Sequence, residues 1–485
     1  MPVARGLGKN YEGAAMNQKP DSFYFDPDKI AEAILLDYLF DPNPDEIPGK
    51  EHLSKGRYTL ASWCGDFYQW AVGRWSRVSD LEIDLRITRH LQSHNSSYGV
   101  NVKQEPIVPI RKSRIADIRL CLAGRVLRPE TKTLNEWDNT QQDAVTTLSM
   151  RNGLLVLRRD GQAELIPHTP DYFSFVQLPY DYDPKAECKL WLTFLNDVMT
   201  GRADYILLLQ QWLGYLLRPD LRQQKFLLCV GEGANGKGVF FEVIQNLVGF
   251  ENCSEVPIAR FNNPFSLIAT QGKMVNLTHE SSGLIDEIAE TTLKSFVAGD
   301  RMTFERKFRD AISDVPTAKI MVATNDLPRF NDKSQAIWRR ILLVPFDKVV
   351  PPEQQIETLA DEIKKELPGV LNFAIEGLRK LNAVGRFTMP ESSNAMLEQY
   401  RQDANPARAF LLEYYENTRN GDNVSCEEVY RQYRVWCDVK GCHSLADRTF
   451  GKEVRRVFPG IERKRTGSRD SRGYVYEGLC PMCPM

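Results

Sequence analysis

The chain has 485 residues, 42% of them hydrophobic and 26% charged, the balance of a globular protein long enough for roughly three domains. A formal net charge of −2 excludes a chain-wide attraction for nucleic acid, so any such binding must come from local patches. No run approaches the roughly 18 to 20 uninterrupted apolar residues of a membrane span, and residues 1–20 lack the apolar core of a secretory signal, so a cytoplasmic protein without membrane contact is expected. Ten cysteines over this length suit reduced thiols better than a disulfide framework.

Residues 1–24 are expected to form a disordered tail, followed from 25 to 150 by an α+β region of unassigned role. In that region a helix runs from Asp28 to Tyr38, with Ile30, Ile34, Leu35 and Leu39 at helical spacing. The aromatic stretch from Phe67 to Val78 reads as a hairpin about a glycine turn, its rings better suited to core packing than to stacking on bases. A basic patch, Arg111 to Arg114, precedes a short helical segment. Residues 151–222 open with strands from Asn152 to Leu157 and from Asp171 to Tyr180, joined through an Asp160-Gly161 turn. They continue as helices from Ala186 to Leu217, where Trp191, Leu192, Leu195, Val198, Leu207, Leu208, Trp212 and Leu216 follow a 3.6-residue period.

The next segment, 223–350, carries the chemistry. Phe226 to Val230 is an apolar, β-favouring run that suits a central parallel strand covered on both faces. After it, Gly231, Glu232, Gly233, Ala234, Asn235 and Gly236 form a turn whose N–H groups can point inward at an anion. Lys237, Gly238 and Val239 then open a helix with its positive end at the same point. The spacing matches the G-x-x-x-x-G-K part of the P-loop, but Gly238 stands where a Ser or Thr hydroxyl usually holds Mg²⁺. Glycine turns between strand and helix also occur for packing alone, and the residues downstream weigh against that reading.

Lys273 to Glu280 reads as a second parallel strand beside the first, ending in a carboxylate able to orient the attacking water or hold the metal. Ile288 to Ala298 is helical, and Asp300 to Asp310 alternates like a hairpin with Arg306, Lys307 and Arg309 at its tip. A third strand, Ala318 to Thr324, ends at Asn325, where a polar side chain faces the nucleotide in a sheet of this kind. Within Ile337 to Phe346 a strand is preceded by the pair Arg339 and Arg340, whose guanidinium forks suit phosphate.

Taken in this order, residues 152–346 resemble the helicase module of the phage and plasmid primase-helicase family, the superfamily 3 AAA+ helicases. The likeness rests on Asn152-Gly153, His168 to Tyr172, Leu178 to Asp183, the glycine loop, Glu280, Leu293-Lys294 with Gly299-Asp300, Thr324 to Pro328, and Ile337 to Arg340 with Pro345-Phe346. The resemblance implies an α/β AAA+ P-loop ATPase core with a parallel sheet, ring-forming and hexameric, using ATP and Mg²⁺ at subunit interfaces. Lys237 would bind the β- and γ-phosphates, Glu280 would be the general base and a metal ligand, and Asn325 would sense the γ-phosphate. One of Arg339 and Arg340 would act on the neighbouring subunit. The tip residues Arg306, Lys307 and Arg309 would grip single-stranded DNA in the channel. Two departures, Gly238 and His279 before Glu280, remove oxygen ligands from the metal and are compatible with slowed hydrolysis.

Beyond a helical lid and linker at 351–403, residues 404–479 read as a winged helix ahead of a tail at 480–485. Residues 425–439 and 445–457 form amphipathic helices, and Ile461 to Leu479 two strands around a turn at 467–473. From Leu445 to Gly473 there are nine basic residues (Arg448, Lys452, Arg455, Arg456, Arg463, Lys464, Arg465, Arg469, Arg472) against four acidic ones (Asp447, Glu453, Glu462, Asp470). That local excess is the footprint of a DNA-binding module rather than of a merely solvated face. Cys480 and Cys483 have metal-ligand spacing, with Cys437, Cys442 and His443 upstream, but a lone pair at a chain end suits a mobile tail better than zinc.

The expected function is an ATP-dependent replicative DNA helicase of a mobile element or virus, acting on single-stranded and duplex DNA as a homo-oligomer. No D-x-D pair on a strand and no zinc cluster before residue 150 indicates a primase domain, so primase activity would come from a separate partner. The rival reading from a non-motor class is an origin-binding initiator ATPase that assembles on DNA with little unwinding. A metabolic P-loop phosphotransferase is disfavoured by the basic C-terminal stretch.

Overall fold

The computed structural model describes residues 25–38, 58–94, 110–138, 144–158, 162–279, 285–328, 330, 335–403, 405–418, 423–441, 444–466 and 473–482. The expectations for the 1–24 tail, Leu39, the Asp160-Gly161 turn, Glu280, Cys442, His443, Arg469, Asp470, Arg472 and Cys483 fall outside them. The chain divides into two compact units, residues 1–71 with 75–132 and residues 72–74 with 133–485.

In the first unit, α1 (Pro27–Leu35) starts at Asp26, whose carboxylate accepts from the backbone N–H groups of Asp28 and Lys29 at 3.1 and 3.2 Å, a standard way to satisfy free helix donors. Strands β1 (Leu60–Trp63), β2 (Asp66–Ala71) and β3 (Arg74–Val78) form one sheet in that order. Helices α2 (Asp80–His94) and α3 (Lys112–Arg125) follow, and Ile30, Ile34, Leu60, Ile83, Ile87 and Ile118 close a small core. Phe67, Tyr68 and Trp75 are buried, as core packing requires. The basic patch runs into the helix: Arg111 stands at the N-cap position of α3 without a side-chain capping hydrogen bond, and Lys112, Ser113 and Arg114 lie in its first turn.

The second unit begins with an antiparallel sheet of β4 (Ala144–Met150), β5 (Gly153–Arg158) and β6 (Ala163–Ile166). The pairing of β4 with β5 keeps residues 144–158 together in this unit. The expected strand from Asp171 to Tyr180 shrinks to Tyr172–Phe173, which pairs with Glu136–Trp137. Helices α4 (Lys189–Val198) and α5 (Ala203–Leu216) bury Trp191, Leu195, Val198, Leu208, Trp212 and Leu216, while Leu192 faces solvent.

Next come β7 (Phe226–Val230), α6 (Lys237–Val248), β8 (Cys253–Ser254), β9 (Val275–His279) and α7 (Glu287–Ala298). A hairpin of β10 (Met302–Arg306) and β11 (Arg309–Asp314) leads to β12 (Lys319–Thr324) and β13 (Ile341–Pro345). Five of these strands make one parallel sheet in the order β8-β9-β12-β7-β13. The strand leading to Glu280 is thus not the neighbour of β7, as expected, because β12 pairs between them.

Side chains alternate across a strand, and here the alternation sorts residues into two cores. Leu227, Cys229, Met321, Ala323, Leu342 and Val344 join the core on the side of α4, α5 and α6. Phe226, Leu228, Ile320, Val322, Ile341 and Leu343 join the core on the side of α7 and the hairpin. A sheet covered on both faces needs near-continuous apolar strands, and these have them.

Helices α8 (Leu359–Lys364), α9 (Leu367–Val384) and α10 (Glu391–Asp403) follow the sheet. The C-terminal segment contains α11 (Pro406–Tyr414), β14 (Asn423–Ser425), α12 (Cys426–Lys440), α13 (Asp447–Val457), β15 (Glu462–Thr466) and β16 (Gly473–Glu477). Its strands are ordered β14-β16-β15, so two helices are followed by an antiparallel hairpin. Among the described residues no helix is long and apolar enough to cross a membrane, and no three His, Cys, Asp or Glu side chains gather as metal ligands.

Candidate functional site

The loop between β7 and α6 departs from ordinary backbone at two points, Ala234 (φ +57°) and Gly236 (φ +85°). Glycine adopts such angles at little cost. At Gly236 a Cβ would also lie 2.6 Å from Val198 Cγ1, and at Gly231 one would lie 2.3 Å from the carbonyl oxygen of Phe346. Those two glycines are therefore needed for the loop to close against α4 and the end of β13. Gly233 and Gly238, in contrast, have open space where a Cβ would stand.

Asn235 fastens the loop. Its buried amide donates to the Phe346 carbonyl at 2.9 Å, and the backbone N–H of Val350 donates to the Ala234 carbonyl at 2.7 Å. Lys237, at the first position of α6, is only 8% exposed. Its ammonium donates to the Gly231 carbonyl, to the Glu232 carbonyl at 3.3 Å and to Asn325 Oδ1 at 3.4 Å. Burial pushes the Lys237 ammonium below its ordinary pKa, and a nearby anion would push it up again. Asn325 directly follows β12, whose Thr324 pairs with Val230 at the end of β7. The carboxyl edge of a parallel sheet is the usual ligand edge of α/β folds, and a cavity of about 700 Å³ opens there, lined by residues 233–239 and Asn325.

The arginine pair sits at the opposite edge, ahead of β13, and the two residues differ. Arg340 is 7% exposed and its Nη1 donates to the Ala336 carbonyl at 2.5 Å, whereas Arg339 is exposed. Sequence reasoning missed Lys225, whose ammonium donates to the Arg339 carbonyl and whose pKa is lowered by burial and then by Arg339 and Arg340. The register that pairs Ile341 with Phe226 puts the residues ahead of both strands side by side. A cation immediately before an apolar strand was the available signal.

The hairpin β10–β11 is rooted by buried Phe304 and Ile312 and ends in exposed Lys307, Phe308 and Arg309. Phe308 has φ +59° and is fully exposed; Arg306 Nε donates to the Asp310 carbonyl at 2.7 Å. In the C-terminal segment Phe450 and Val454 face inward from α13, so Arg448, Lys452 and Arg455 face solvent. Arg463, Lys464 and Arg465 lie on β15, exposed throughout. The Arg463 guanidinium lies 4.3 Å over the Tyr474 ring, and Lys464 pairs with Glu477, which raises its pKa.

Three family models match separate stretches of the chain: residues 111–200 the family "D5 N terminal like", residues 229–340 a family of unknown function (DUF5906), and residues 404–482 the RFX DNA-binding domain. A protein of Acanthamoeba polyphaga mimivirus named as a helicase is 22% identical over 271 residues, covering 50% of this chain and 28% of that protein. The DNA-binding protein RFX7 of Xenopus laevis is 42% identical over 53 residues, 11% of this chain and 4% of that one. The chain thus spans about a quarter of the length of the viral relative it matches. Among solved structures, the A-form apo structure of the NrS-1 C terminal region superposes with a TM-score of 0.50 at 11% identity, over 93% of this chain and 99% of that one, a likeness of fold. The comparisons thus relate the chain to virus-encoded proteins named as helicases and its last segment to a DNA-binding domain.

Proposed function

We propose that the chain is an ATP-driven DNA helicase whose copies work together as a ring, with the C-terminal segment holding duplex DNA. The observation that carries this reading is the meeting of Lys237 and Asn325 at the carboxyl edge of the sheet, with an exposed arginine at the opposite edge. The loop N–H groups and the Lys237 ammonium would cradle the β- and γ-phosphates of ATP, and Asn325 would touch the γ-phosphate. Glu280, the residue that follows β9 in the sequence, is the proposed base for the attacking water.

Arg339 cannot serve its own subunit's loop. It precedes a five-residue strand, about 16 Å of chain, that must be crossed to reach the carboxyl edge. Its exposure suits a phosphate held by a second copy, with Lys225 fixing its backbone. In this reading Arg340, buried and bonded within its own subunit, takes no part in the neighbouring copy's site.

The Mg²⁺ that accompanies ATP neutralises charge on the transferring phosphate. Gly238 supplies no hydroxyl at this point of the loop, so the ion would be held by phosphate oxygens, water and Glu280. This same feature favours, as a second reading, an initiator that binds ATP and DNA with little turnover.

A forked duplex with a single-stranded tail separates the two. The proposal requires ATP-dependent strand separation by the parent, none by Lys237→Ala, and separation lost with ATP turnover retained in Lys307→Ala. A parent that binds fork and ATP but separates no strands would favour the initiator.

A further inference from the structure

The strap of residues 347–358, between β13 and α8, is fastened along the rim of the cavity. The Lys348 ammonium pairs with the Asp197 carboxylate of α4, Arg202 reaches Asp347 at 3.3 Å, and the Val350 N–H donates to the loop carbonyl of Ala234 at 2.7 Å. Gln355 folds back to donate to the Val350 carbonyl at 2.9 Å. These bonds fix the strap, yet apolar and acidic side chains along it stay in water. Val349 is 58% exposed and Ile356 60%. Glu353 and Glu357 are exposed too, and among the described residues neither carboxylate has an ion-pair partner.

The opposite sign collects at the amino edge of the sheet. Lys225 and Arg339 meet there, and a turn in which the Gln224 N–H donates to the Leu221 carbonyl at 2.9 Å carries Arg222 just ahead of Lys225. The Arg222 side chain is 79% exposed, and the carboxylate near it, Asp220 at 3.8 Å, is already held by Arg218 at 2.6 Å. The exposed Arg339 guanidinium has no ion-pair partner among the described residues. Cations gathered beside a single engaged carboxylate make a positive patch. Within one chain this patch and the strap lie at opposite ends of β13, so neither can neutralise the other.

A head-to-tail contact joins two different surfaces of identical chains. If Arg339 of one copy serves a phosphate in the cavity of the next, the amino edge of the first must lie against the rim of that cavity. The strap forms part of that rim, since Gln354, Gln355, Ile356 and Glu357 line the cavity. We propose that the strap is the docking surface for the amino edge of a second copy of this chain, with Glu353 and Glu357 facing Arg222 and Lys225, and with Val349 and Ile356 covered at the contact. Complementary charge fixes the register of such a contact more than its strength, and the register is what brings Arg339 to the phosphate. The inference rests on the reading of Arg339 given above and adds the surface that receives it.

Sedimentation velocity of the full chain with ATP and Mg²⁺, over a range of protein concentrations, tests this. The parent is expected to self-associate, and less so as salt rises. Arg222→Glu alone, and Glu353→Arg together with Glu357→Arg, should each weaken association about tenfold, and the three substitutions in one chain should recover most of that loss because the charges match again. Arg222→Lys should stay within about threefold of the parent. All the replaced side chains are exposed, so the variants should melt with the parent, which a thermal scan verifies. Association that is unchanged in these variants, or a triple variant no tighter than the separate ones, overturns the inference while leaving Arg339 its role toward a second copy. A parent that stays a single copy overturns both.

Discussion

The ammonium of Lys237 stands 3.4 Å from Oδ1 of Asn325, although the residues lie 88 positions apart in the chain. They meet because β7 and β12 run side by side and in register, Val230 against Thr324. A side chain in that position can report the presence of a phosphate to β12. Asn325→Ala is therefore expected to lower ATP turnover about 10²- to 10³-fold with little change in ATP affinity. Steady-state kinetics and a binding titration check it, and an unchanged kcat would remove Asn325 from the site.

The two arginines ahead of β13 should separate cleanly. Arg339→Ala is expected to fold normally and lose about 10³-fold in turnover, and mixing it with Lys237→Ala should restore part of the activity through interfaces that combine an intact loop with an intact Arg339. Arg340→Ala, which removes a buried hydrogen-bonding group, should instead cost about 2–3 kcal/mol of stability. Denaturant melts and mixed-protein kinetics distinguish the two; equal melting and equal loss would contradict the assignment.

Much of this was legible in the sequence because it is local. A strand, a glycine turn and a helix follow one another from Phe226 to Val248, and the apolar run ending at Thr324 marks Asn325 without any knowledge of neighbours. What was not legible is non-local. The insertion of β12 between β7 and β9 is decided by pairing between distant segments, so the strand before Glu280 was placed one position too close. Arg339 and Arg340 look alike in the sequence; the turn that exposes one and buries the other is set by the short helix Gln335–Trp338 packed before β13.

Gly238 offers a gain-of-function test. Its backbone is ordinary and a Cβ there would meet nothing within 4 Å, so Gly238→Ser should fit without strain and supply a hydroxyl where P-loops usually carry one. The Mg²⁺ concentration giving half-maximal turnover should fall several-fold, on the order of one hydrogen-bonding ligand's worth. A magnesium titration of turnover in parent and variant decides it, and coincident curves would show that the loop does not approach the metal.

Lys319 gives a pH signature independent of function. It is 1% exposed, its ammonium donates to the carbonyls of Arg218 and Thr317, and burial, with Arg218 adding to it, lowers its pKa from 10.5 to about 7. Below pH 7 both the folded and the unfolded chain hold the proton, and the penalty of burying charge is fully present. Between about pH 7 and 10.5 the unfolded chain binds more protons, so this residue makes stability rise with pH, by up to about 1.4 kcal/mol per unit. Urea melts at pH 7 and pH 9 should show that rise in the parent relative to Lys319→Met; parallel behaviour of the two would contradict it.

The central claim is that Lys237 and Asn325 belong to an ATP-hydrolysing site coupled to DNA. ATP turnover measured with and without single-stranded DNA, on the parent and on Lys237→Ala, tests it most directly. The account predicts turnover that DNA stimulates and that Lys237→Ala abolishes. Turnover indifferent to DNA, or undiminished in Lys237→Ala, would contradict it.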